Sequence, residues 1–314
     1  MRTPAAWLIA AALALAVAAC GDGGGSGGAP SAPLDVSARR LPPSKSSHVV
    51  VVVMENKEYD QVLGSHDAPY LTRLARRYAA PRSLYGIRHP SLPNYLALIG
   101  GDTFGIDDDC TSCSVDGMTL VDQLESAGRT WRAYMQGLPR PCFKGSEHGR
   151  YAKKHDPFMY FKSIRDSARR CGSVVPYTQL ARDLRRGDLP DFAFVSPDLC
   201  ADTHDCSVHT GDRFLADLAP ALLREIGPHG MLIVTYDEGS SDRGCCGVAR
   251  GGRIPTVVAG PDVRRGARGK GDYSTYSVLR TVEDFFGLPA IGKAADARPL
   301  DALFARRPRA ERRQ

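Results

Sequence analysis

The chain has 314 residues, of which 43% are hydrophobic and 24% charged, and its formal net charge is +6. These values exclude a collagen-like or wholly disordered chain and allow one large folded domain or two small ones. The C-terminal run from Arg306 to Arg313 carries +4 of the charge, so the rest of the chain is nearly neutral. This distribution argues against a dedicated nucleic-acid groove.

Residues 1–19 have the pattern of a signal peptide. Arg2 precedes an apolar run from Ala5 to Ala19, which is shorter than the roughly 20 residues that a transmembrane helix needs. The run ends in Val-Ala-Ala-Cys at Cys20, which resembles the bacterial lipobox, where the cysteine becomes the lipidated first residue. Ordinary secretion with an unmodified cysteine is the alternative. Residues 20–46 then form a flexible tether, so we expect an exported lipoprotein of the bacterial cell membrane, facing outside the cytoplasm.

Strand and helix patterns alternate after the tether. Continuous apolar runs rich in β-branched residues predict buried strands of a parallel sheet, and amphipathic spacing predicts helices. In chain order we predict a strand at 47–54, helices at 69–79, 93–99 and 118–127, a strand at 131–135, a helix at 179–186, a strand at 191–195, a helix at 212–226, strands at 231–236 and 254–259, and a helix at 278–286. This order predicts an α/β domain at 47–300, with a basic tail at 301–314. We expect the cysteine- and glycine-rich stretch 107–162 to cross the active face.

Eight cysteines remain once Cys20 is set aside. An even count in an exported protein favours disulfides over zinc ligands, and the single CxxC at Cys110 and Cys113 has no second CxxC to complete a zinc site. Proximity along the chain predicts the pairs Cys110–Cys113, Cys142–Cys171, Cys200–Cys206 and Cys245–Cys246. Eight cysteines allow about 105 pairings, so the connectivity stays open at this point.

Three of the predicted strands end in acidic or amide residues. The residues concerned are Glu55 and Asn56 after the first strand, Asp198, Asp202 and His204 after the strand at 191–195, and Asp237 and Glu238 after the strand at 231–236. Ligands bind beyond the carboxyl ends of the strands in open α/β sheets, so these residues predict an anionic pocket. Clustered carboxylates need a cation to stay ionised, and oxygen ligands favour Ca²⁺, Mg²⁺ or Mn²⁺. Three unrelated, solvated loop ends are the alternative.

A serine precedes the proline that opens the predicted helix at 93–99. Backbone N–H groups and the helix dipole favour an anion at such a position. Ser91 could therefore be a nucleophile that attacks a phosphoester, with Asn94 donating to a phosphate oxygen. A serine that only caps the helix is the alternative.

Five sequence segments carry a family resemblance. They are VVVVVMENKEYDQVLG, HPSLPNYLALIGG, SPDLCADTHDC, YDEG and YSVLRTVEDFFGLP, in this order between Ser47 and Leu288. Together they resemble the phosphoesterase family of the alkaline phosphatase superfamily, which includes bacterial acid phosphatases and phospholipases C. The resemblance implies an alkaline-phosphatase-like three-layer sandwich, in which helices cover both faces of a mostly parallel sheet.

The resemblance also implies roles for individual residues. One divalent metal would be held by Glu55, Asn56, Ser91, Asp237 and Glu238. Ser91 would also be the nucleophile, because SLPN is similar to the Thr-Phe-Pro-Asn segment of nucleotide pyrophosphatases. His155 and His204 would bind phosphate or protonate the leaving alcohol, and Asn94 and Asp202 would contact the substrate.

The implied activity is metal-dependent hydrolysis of phosphate monoesters through a phosphoserine intermediate. The substrate would be a small molecule, a phosphoinositide or another extracellular phosphoester. A phospholipase C that cleaves phospholipid diesters and a non-catalytic surface lipoprotein are the alternatives. We expect the substrate and the membrane as partners, with no nucleic acid and no obligate protein partner.

One position departs from the family pattern. Many relatives carry a histidine in the segment that corresponds to 273–277, where this chain has Thr275. A threonine hydroxyl is a much weaker metal ligand than histidine, so we expect one tightly held metal rather than a pair. The alternative is that Thr275 only starts the closing helix.

Overall fold

A computed structural model describes residues 1, 44, 46–307 and 309–311. The predicted lipidation site Cys20, the apolar run before it and most of the tether lie outside the described residues. In the part of the chain that is described, no helix is both long enough and apolar enough to cross a bilayer.

Strands and helices alternate along the described chain. The strands are β1 (Val49–Met54), β2 (Leu84–Tyr85), β3 (Trp131–Met135), β4 (Glu147–His148), β5 (Tyr151–Ala152), β6 (Val174–Pro176), β7 (Phe192–Ser196), β8 (Met231–Tyr236), β9 (Thr256–Ala259) and β10 (Tyr273–Ser274). The α-helices are α1 (Tyr59–Val62), α2 (Pro69–Arg77), α3 (Ser91–Gly100), α4 (Leu120–Ser126), α5 (Lys162–Arg165), α6 (Ala168–Cys171), α7 (Thr178–Arg186), α8 (Val208–Glu225) and α9 (Thr275–Phe286).

The central sheet has the strand order β6-β3-β7-β1-β8-β9. β1 pairs in parallel with β7 on one side and with β8 on the other, while β9 pairs antiparallel to β8. Every residue of β1 is buried, as expected for a strand that is covered on both faces. The predicted mostly parallel sheet is therefore confirmed, and β6 and the antiparallel direction of β9 are additions to it.

Two groups of helices cover the sheet. α2, α7 and α8 pack together, with α8 against β8 and α7 against β3, and α3 packs against α4 and α9 in the second group. A continuous core that contains β1, β7 and β8 lies between them. The predicted α/β architecture is confirmed.

Most predicted boundaries differ from the observed ones by one to four residues, and two differences have a clear physical cause. α8 begins at Val208 rather than at residue 212, because the Ser207 side chain accepts a hydrogen bond from the Thr210 N–H and caps the helix. The packed region also continues past residue 300, since Leu303 and Phe304 are buried in the core. Residues 301–304 therefore belong to the folded domain, and Ala310 is partly buried against the same core.

The four disulfides that proximity predicted are present. They join Cys110 to Cys113, Cys142 to Cys171, Cys200 to Cys206 and Cys245 to Cys246. The bond between Cys200 and Cys206 closes the loop that carries Asp202 and His204. This loop follows β7, at the carboxyl edge of the sheet.

Candidate active site

The carboxyl ends of β1, β7 and β8 are adjacent, so the polar residues that follow these strands converge. The backbone locks them together: the Glu55 N–H donates to the Asp202 carbonyl at 2.9 Å, and the Asp237 N–H donates to the Met54 carbonyl at 3.0 Å. The side chains of Glu55, Asp202 and Asp237 are buried. Parallel pairing is thus what assembles the pocket.

Glu55 lies at the centre of the pocket. Its Oε2 accepts a hydrogen bond from Ser91 Oγ at 3.0 Å, and its Oε1 accepts one from the Tyr95 hydroxyl. His155 Nε2 lies 3.3 Å from Glu55 Oε2. Burial raises the pKa of Glu55 well above its usual value, and the nearby carboxylates Asp237 and Asp202 raise it further.

Ser91 is the first residue of α3, and Pro90 precedes it as the cap. Its hydroxyl donates to Glu55 and is 1% exposed, so it is not a helix-capping group. The Leu92 N–H at the helix start already donates to Asp109 Oδ1 at 2.9 Å. This part of the helix terminus is therefore occupied by a carboxylate of the chain itself.

Asn94 lies one turn further along α3 and faces the preceding loop. Its Oδ1 accepts from the N–H groups of Ile87 and Arg88 at 2.7 and 3.2 Å, and its Nδ2 donates to the Arg88 carbonyl at 2.6 Å. The side chain is completely buried. Its amide shapes the loop that leads to Ser91, and its contact with substrate stays a prediction.

The segment after β8 contributes two more carboxylates. Burial raises the pKa of Asp237 to about 6, and burial together with Asp237 raises that of Glu238 to about 9. The side-chain oxygen of Asn56 faces carboxylate oxygens of Glu55, Asp237 and Glu238 at 3.1–3.2 Å. Oxygens this close repel each other unless the Asn56 amide turns or a cation lies between them.

His89 contacts the same carboxylate group from outside. Its Nδ1 lies 2.5 Å from Glu238 Oε2, and its Nε2 lies 3.2 Å from the Ser241 carbonyl oxygen. Because a carbonyl can only accept, Nε2 is the donor to Ser241, and Nδ1 faces the Glu238 carboxyl group. His89 was not among the predicted site residues, although it opens the quoted segment HPSLPNY.

His155 connects Glu55 to Asp202. Its Nδ1 lies 3.3 Å from Asp202 Oδ2, and its ring stacks on Tyr95 at 5.3 Å. Burial lowers the pKa of His155 well below its usual value, and the charges of Lys154 and His204 add to the effect, so the imidazole is neutral. Glu55, His155 and Asp202 each present a ligand atom within 4.8 Å of the others and could hold a metal ion.

His204 lies at the rim of the pocket. Its Nδ1 is 2.7 Å from Asp205 Oδ1, its Nε2 is 3.4 Å from Lys154 Nζ, and its ring is 5.7 Å from that of His155. Lys154 also pairs with Asp109 at 3.1 Å. His155, Lys154 and Asp109 all belong to the stretch 107–162, which therefore reaches the active face as expected.

The chemistry of these side chains fits a divalent cation. Four buried carboxylates, those of Glu55, Asp202, Asp237 and Glu238, all have raised pKa values, primarily because of burial. Within the described chain, Asp202 Oδ2, Asp237 Oδ2 and His155 Nε2 are buried atoms without a hydrogen-bond partner. A cation would satisfy such oxygen and nitrogen donors and keep the carboxylates ionised.

Two features were not anticipated by the sequence. Tyr95 follows Ser91 by one helical turn, so i,i+4 spacing on α3 was the signal that both would face Glu55. Thr275 is the first residue of α9, and its hydroxyl donates to the Tyr85 carbonyl at 3.5 Å. Thr275 thus starts the closing helix, which is the alternative to a lost metal ligand. The number of bound metal ions stays a prediction.

Comparisons of the sequence with known proteins relate the chain to phosphatases. Residues 65–289 match the Phosphoesterase family. A phosphatidylinositol-3-phosphatase of Mycobacterium tuberculosis is 34% identical over 264 residues, which cover 82% of this chain and 83% of that protein. An acid phosphatase of Aspergillus fumigatus is 29% identical over 255 residues, which cover 77% of this chain and 55% of that protein. The chain thus spans about half the length of this fungal relative.

Solved structures share the fold at low sequence identity. A protein in the alkaline phosphatase superfamily from Vibrio parahaemolyticus has a TM-score of 0.55 and 16% identity, covering 82% of this chain and 71% of its own. The PsFucS1 sulfatase from Pseudoalteromonas sp. has a TM-score of 0.54 and 13% identity, covering 86% of this chain and 74% of its own. The fold is therefore alkaline-phosphatase-like. The family match and the two relatives named phosphatases show that the chain is an enzyme that hydrolyses phosphoric esters. By the match over residues 65–289, the chain belongs to the Phosphoesterase family.

Proposed function

We propose that the chain hydrolyses phosphate monoesters with Ser91 as the nucleophile. The observation that carries the proposal is the 3.0 Å hydrogen bond from Ser91 Oγ to Glu55 Oε2, inside a buried cluster of carboxylates. A hydroxyl held by a carboxylate is positioned to lose its proton as it attacks. The two relatives described above are both named phosphatases, which supports a monoester over the diester of a phospholipase C.

We propose one divalent metal ion as the cofactor. Glu55, Asn56, Ser91, Asp237 and Glu238 would hold it, and His155 and Asp202 offer further donors beside Glu55. When bound, the ion would supply positive charge that polarises a phosphoryl oxygen and offsets the carboxylates. The oxygen-rich donor set favours Ca²⁺, Mg²⁺ or Mn²⁺.

The side chains of the site account for the proton transfers. Ser91 Oγ attacks phosphorus as its proton passes to Glu55 Oε2, and the bond from phosphorus to the alcohol oxygen breaks. The leaving alcohol takes a proton from His204 at the rim or from water. Water then attacks the phosphoserine and gives its proton to His204 or to solvent, the bond from phosphorus to Ser91 Oγ breaks, and Ser91 Oγ takes its proton back from Glu55 as inorganic phosphate leaves. His155 Nε2 lies 3.3 Å from Glu55 Oε2 without a hydrogen bond and would bind the phosphate.

We propose that this chemistry takes place outside the cytoplasm. Four disulfides are typical of an oxidising compartment, and the predicted lipobox at Cys20 would attach the chain to the bacterial cell membrane. The name of the mycobacterial relative makes a soluble phosphorylated inositol the first substrate to test. Comparing the monoester and the bis-ester of one alcohol separates a phosphatase from a phospholipase C.

Replacing the nucleophile tests the proposal directly. Ser91→Ala should lower kcat/KM on a phosphate monoester at least about 100-fold with the fold intact, because the attacking oxygen is removed. Ser163→Ala, at an exposed position on α5, is the matched control and should keep wild-type rates. A Ser91→Ala enzyme that retained more than about a tenth of the rate would mean that water attacks phosphorus directly.

Removing a carboxylate tests the metal. Asp237→Ala should lose bound metal in elemental analysis together with activity, whereas Asp67→Ala, an exposed change, should lose neither. Calorimetric titration of the chelated enzyme should show one tight equivalent. Unchanged metal content in Asp237→Ala would contradict its assignment as a ligand, and two tight equivalents would contradict the single-metal site.

A further inference from the structure

A groove of about 1100 Å³ runs between α2, the end of α8 and the loop after β9. Five exposed arginines line it, namely Arg73, Arg76, Arg77, Arg224 and Arg265. Its walls also contain two tyrosines and several aliphatic or proline side chains, and none of its lining residues is acidic. We call this feature the arginine groove.

Within the described chain, none of the five arginines of the groove forms an ion pair, although Glu225 interacts electrostatically with its neighbour Arg224. Arg73, Arg76 and Arg77 follow i, i+3, i+4 spacing on α2, so three like charges lie on one helix face, where they repel one another. The ion pairs that the structure records for arginine within residues 46–307 involve none of the five. A concave surface that concentrates five arginines attracts anions.

The arginine groove lies at the amino edge of the sheet. Arg224 is in the last turn of α8, and the carbonyl of the next cap residue, Ile226, accepts from the His48 N–H at 2.8 Å, just before β1 begins. The loop after β9 packs there too, because Gly260 lies against the start of β8. The candidate active site is at the opposite end of β1, whose six residues span about 20 Å.

The chain enters the domain at this same edge. Ser46 and Ser47 pack against Gly227 at the end of α8, and the Ser47 hydroxyl donates to Glu311 Oε1 at 2.5 Å. The predicted tether ends at residue 46, so the first residues of the folded domain lie at the same edge of the sheet as the arginine groove.

We propose that the arginine groove binds the anionic phospholipid headgroups of the membrane. Arginines near an anionic leaflet each contribute to binding, and tyrosines are favoured at headgroup depth, where an apolar wall also finds contacts. A membrane rather than a nucleic acid is the occupant because the tether joins the domain at this edge and the groove mixes aliphatic with basic side chains. Docking in this way turns the active site away from the lipid and towards solution.

Vesicle binding tests the proposal without the lipid anchor. The chain from Gly21 onward keeps every core residue that the structure describes, and it is sedimented with vesicles of phosphatidylcholine alone or with 30 mol% phosphatidylglycerol. At about 0.1 M salt, near physiological screening, we expect binding only to the anionic vesicles, with a steep loss at higher salt. The Arg76→Gln/Arg77→Gln/Arg265→Gln variant should bind at least tenfold more weakly.

A matched variant shows whether position matters. Arg182→Gln/Arg186→Gln/Arg213→Gln removes three exposed charges outside the groove and should keep at least half of the wild-type affinity. Both triple variants should keep wild-type turnover of a soluble phosphate monoester, which shows that they are folded. Equal binding to neutral and anionic vesicles, equal losses in the two variants, or tighter binding to a nucleic-acid duplex than to anionic vesicles at the same salt would each overturn the proposal.

Discussion

Some side chains of α3 face the candidate site, and another stabilises the loop that precedes the helix. Ser91 presents its hydroxyl to Glu55, and Tyr95, one turn later, holds the other oxygen of the same carboxylate. Asn94 instead bonds the loop that precedes the helix. The orientation of the serine therefore depends on two buried side chains that face in different directions.

Asn94→Ala tests whether Asn94 stabilises the loop before α3 or binds the substrate. The change leaves the Ile87 and Arg88 N–H groups without their acceptor, so we expect a loss of about 2–3 kcal/mol in the free energy of unfolding. Urea denaturation measures this loss. The rate should fall through kcat, because the loop that leads to Ser91 moves. Asn94→Asp keeps the acceptor oxygen but places a second oxygen against the Arg88 carbonyl, so it should cost at least as much stability. A raised KM with unchanged stability would instead support direct substrate contact.

Helices α2 and α8 are joined by one buried carboxylate. Asp212 on α8 accepts from the Tyr70 N–H at 2.9 Å and from the Leu71 N–H at 2.8 Å, two donors at the start of α2 that have no partner within the helix. The side chain is buried, and Pro69 opens the helix. A residue of one helix therefore caps another that lies 141 residues away in sequence.

Asp212→Ala should destabilise the domain by about 2 kcal/mol, because two backbone donors lose a charged acceptor. Thermal and urea unfolding measure the change. Asp217→Ala, exposed on the same helix, is the control and should change stability by less than about 0.5 kcal/mol. Equal effects of the two substitutions would show that the cap is energetically unimportant.

The elements that could be predicted are those with strong local patterns. β3 and β8 have the predicted bounds, because each is a run of buried residues between loop residues. β6 was missed because it has three residues and ends in proline. The antiparallel direction of β9 could not be predicted, because a strand that is buried on both faces has the same continuous apolar pattern in either direction.

In the candidate site too, local sequence patterns predicted some residues, while contacts between distant segments could not be predicted. Carboxylates at strand ends can be read from the sequence, and parallel pairing then brings Glu55 and Asp237 together. The contact of His89 with Glu238 spans 149 residues and depends on the path of two loops, which no local pattern encodes. The contact of His155 with Glu55 and Asp202 depends in the same way on the route of the stretch 107–162.

At the scale of the whole molecule, buried carboxylates make stability depend on pH. Burial raises the pKa of Asp237 to about 6, of Asp156 and Glu283 to about 7, and of Glu238 to about 9. Unfolded carboxyls titrate near pH 4, so between about pH 4 and 9 these four groups bind more protons in the folded metal-free protein than in the unfolded chain. Their contribution to the free energy of unfolding therefore falls as the pH rises through their folded pKa values. Because Asp237 and Glu238 are proposed metal ligands, added divalent metal should flatten the curve.

Glu283 lies outside the candidate site, so its substitution measures how one buried carboxylate away from the proposed metal ligands makes stability depend on pH. Its Oε1 accepts from the Ile291 N–H at 2.9 Å, while its Oε2 and the neighbouring Gln123 Oε1 are buried acceptors without a donor. Glu283→Gln cannot ionise and adds a donor, so it should stabilise the metal-free protein at pH 8 by about 1–2 kcal/mol. The gain should disappear below about pH 4.5, where the native glutamic acid is protonated in both states. Urea unfolding at both pH values measures the difference, with Asp296→Asn, an exposed change, as the control. A gain that was the same at pH 4 and pH 8 would show that packing, rather than the charge of Glu283, limits stability at this position.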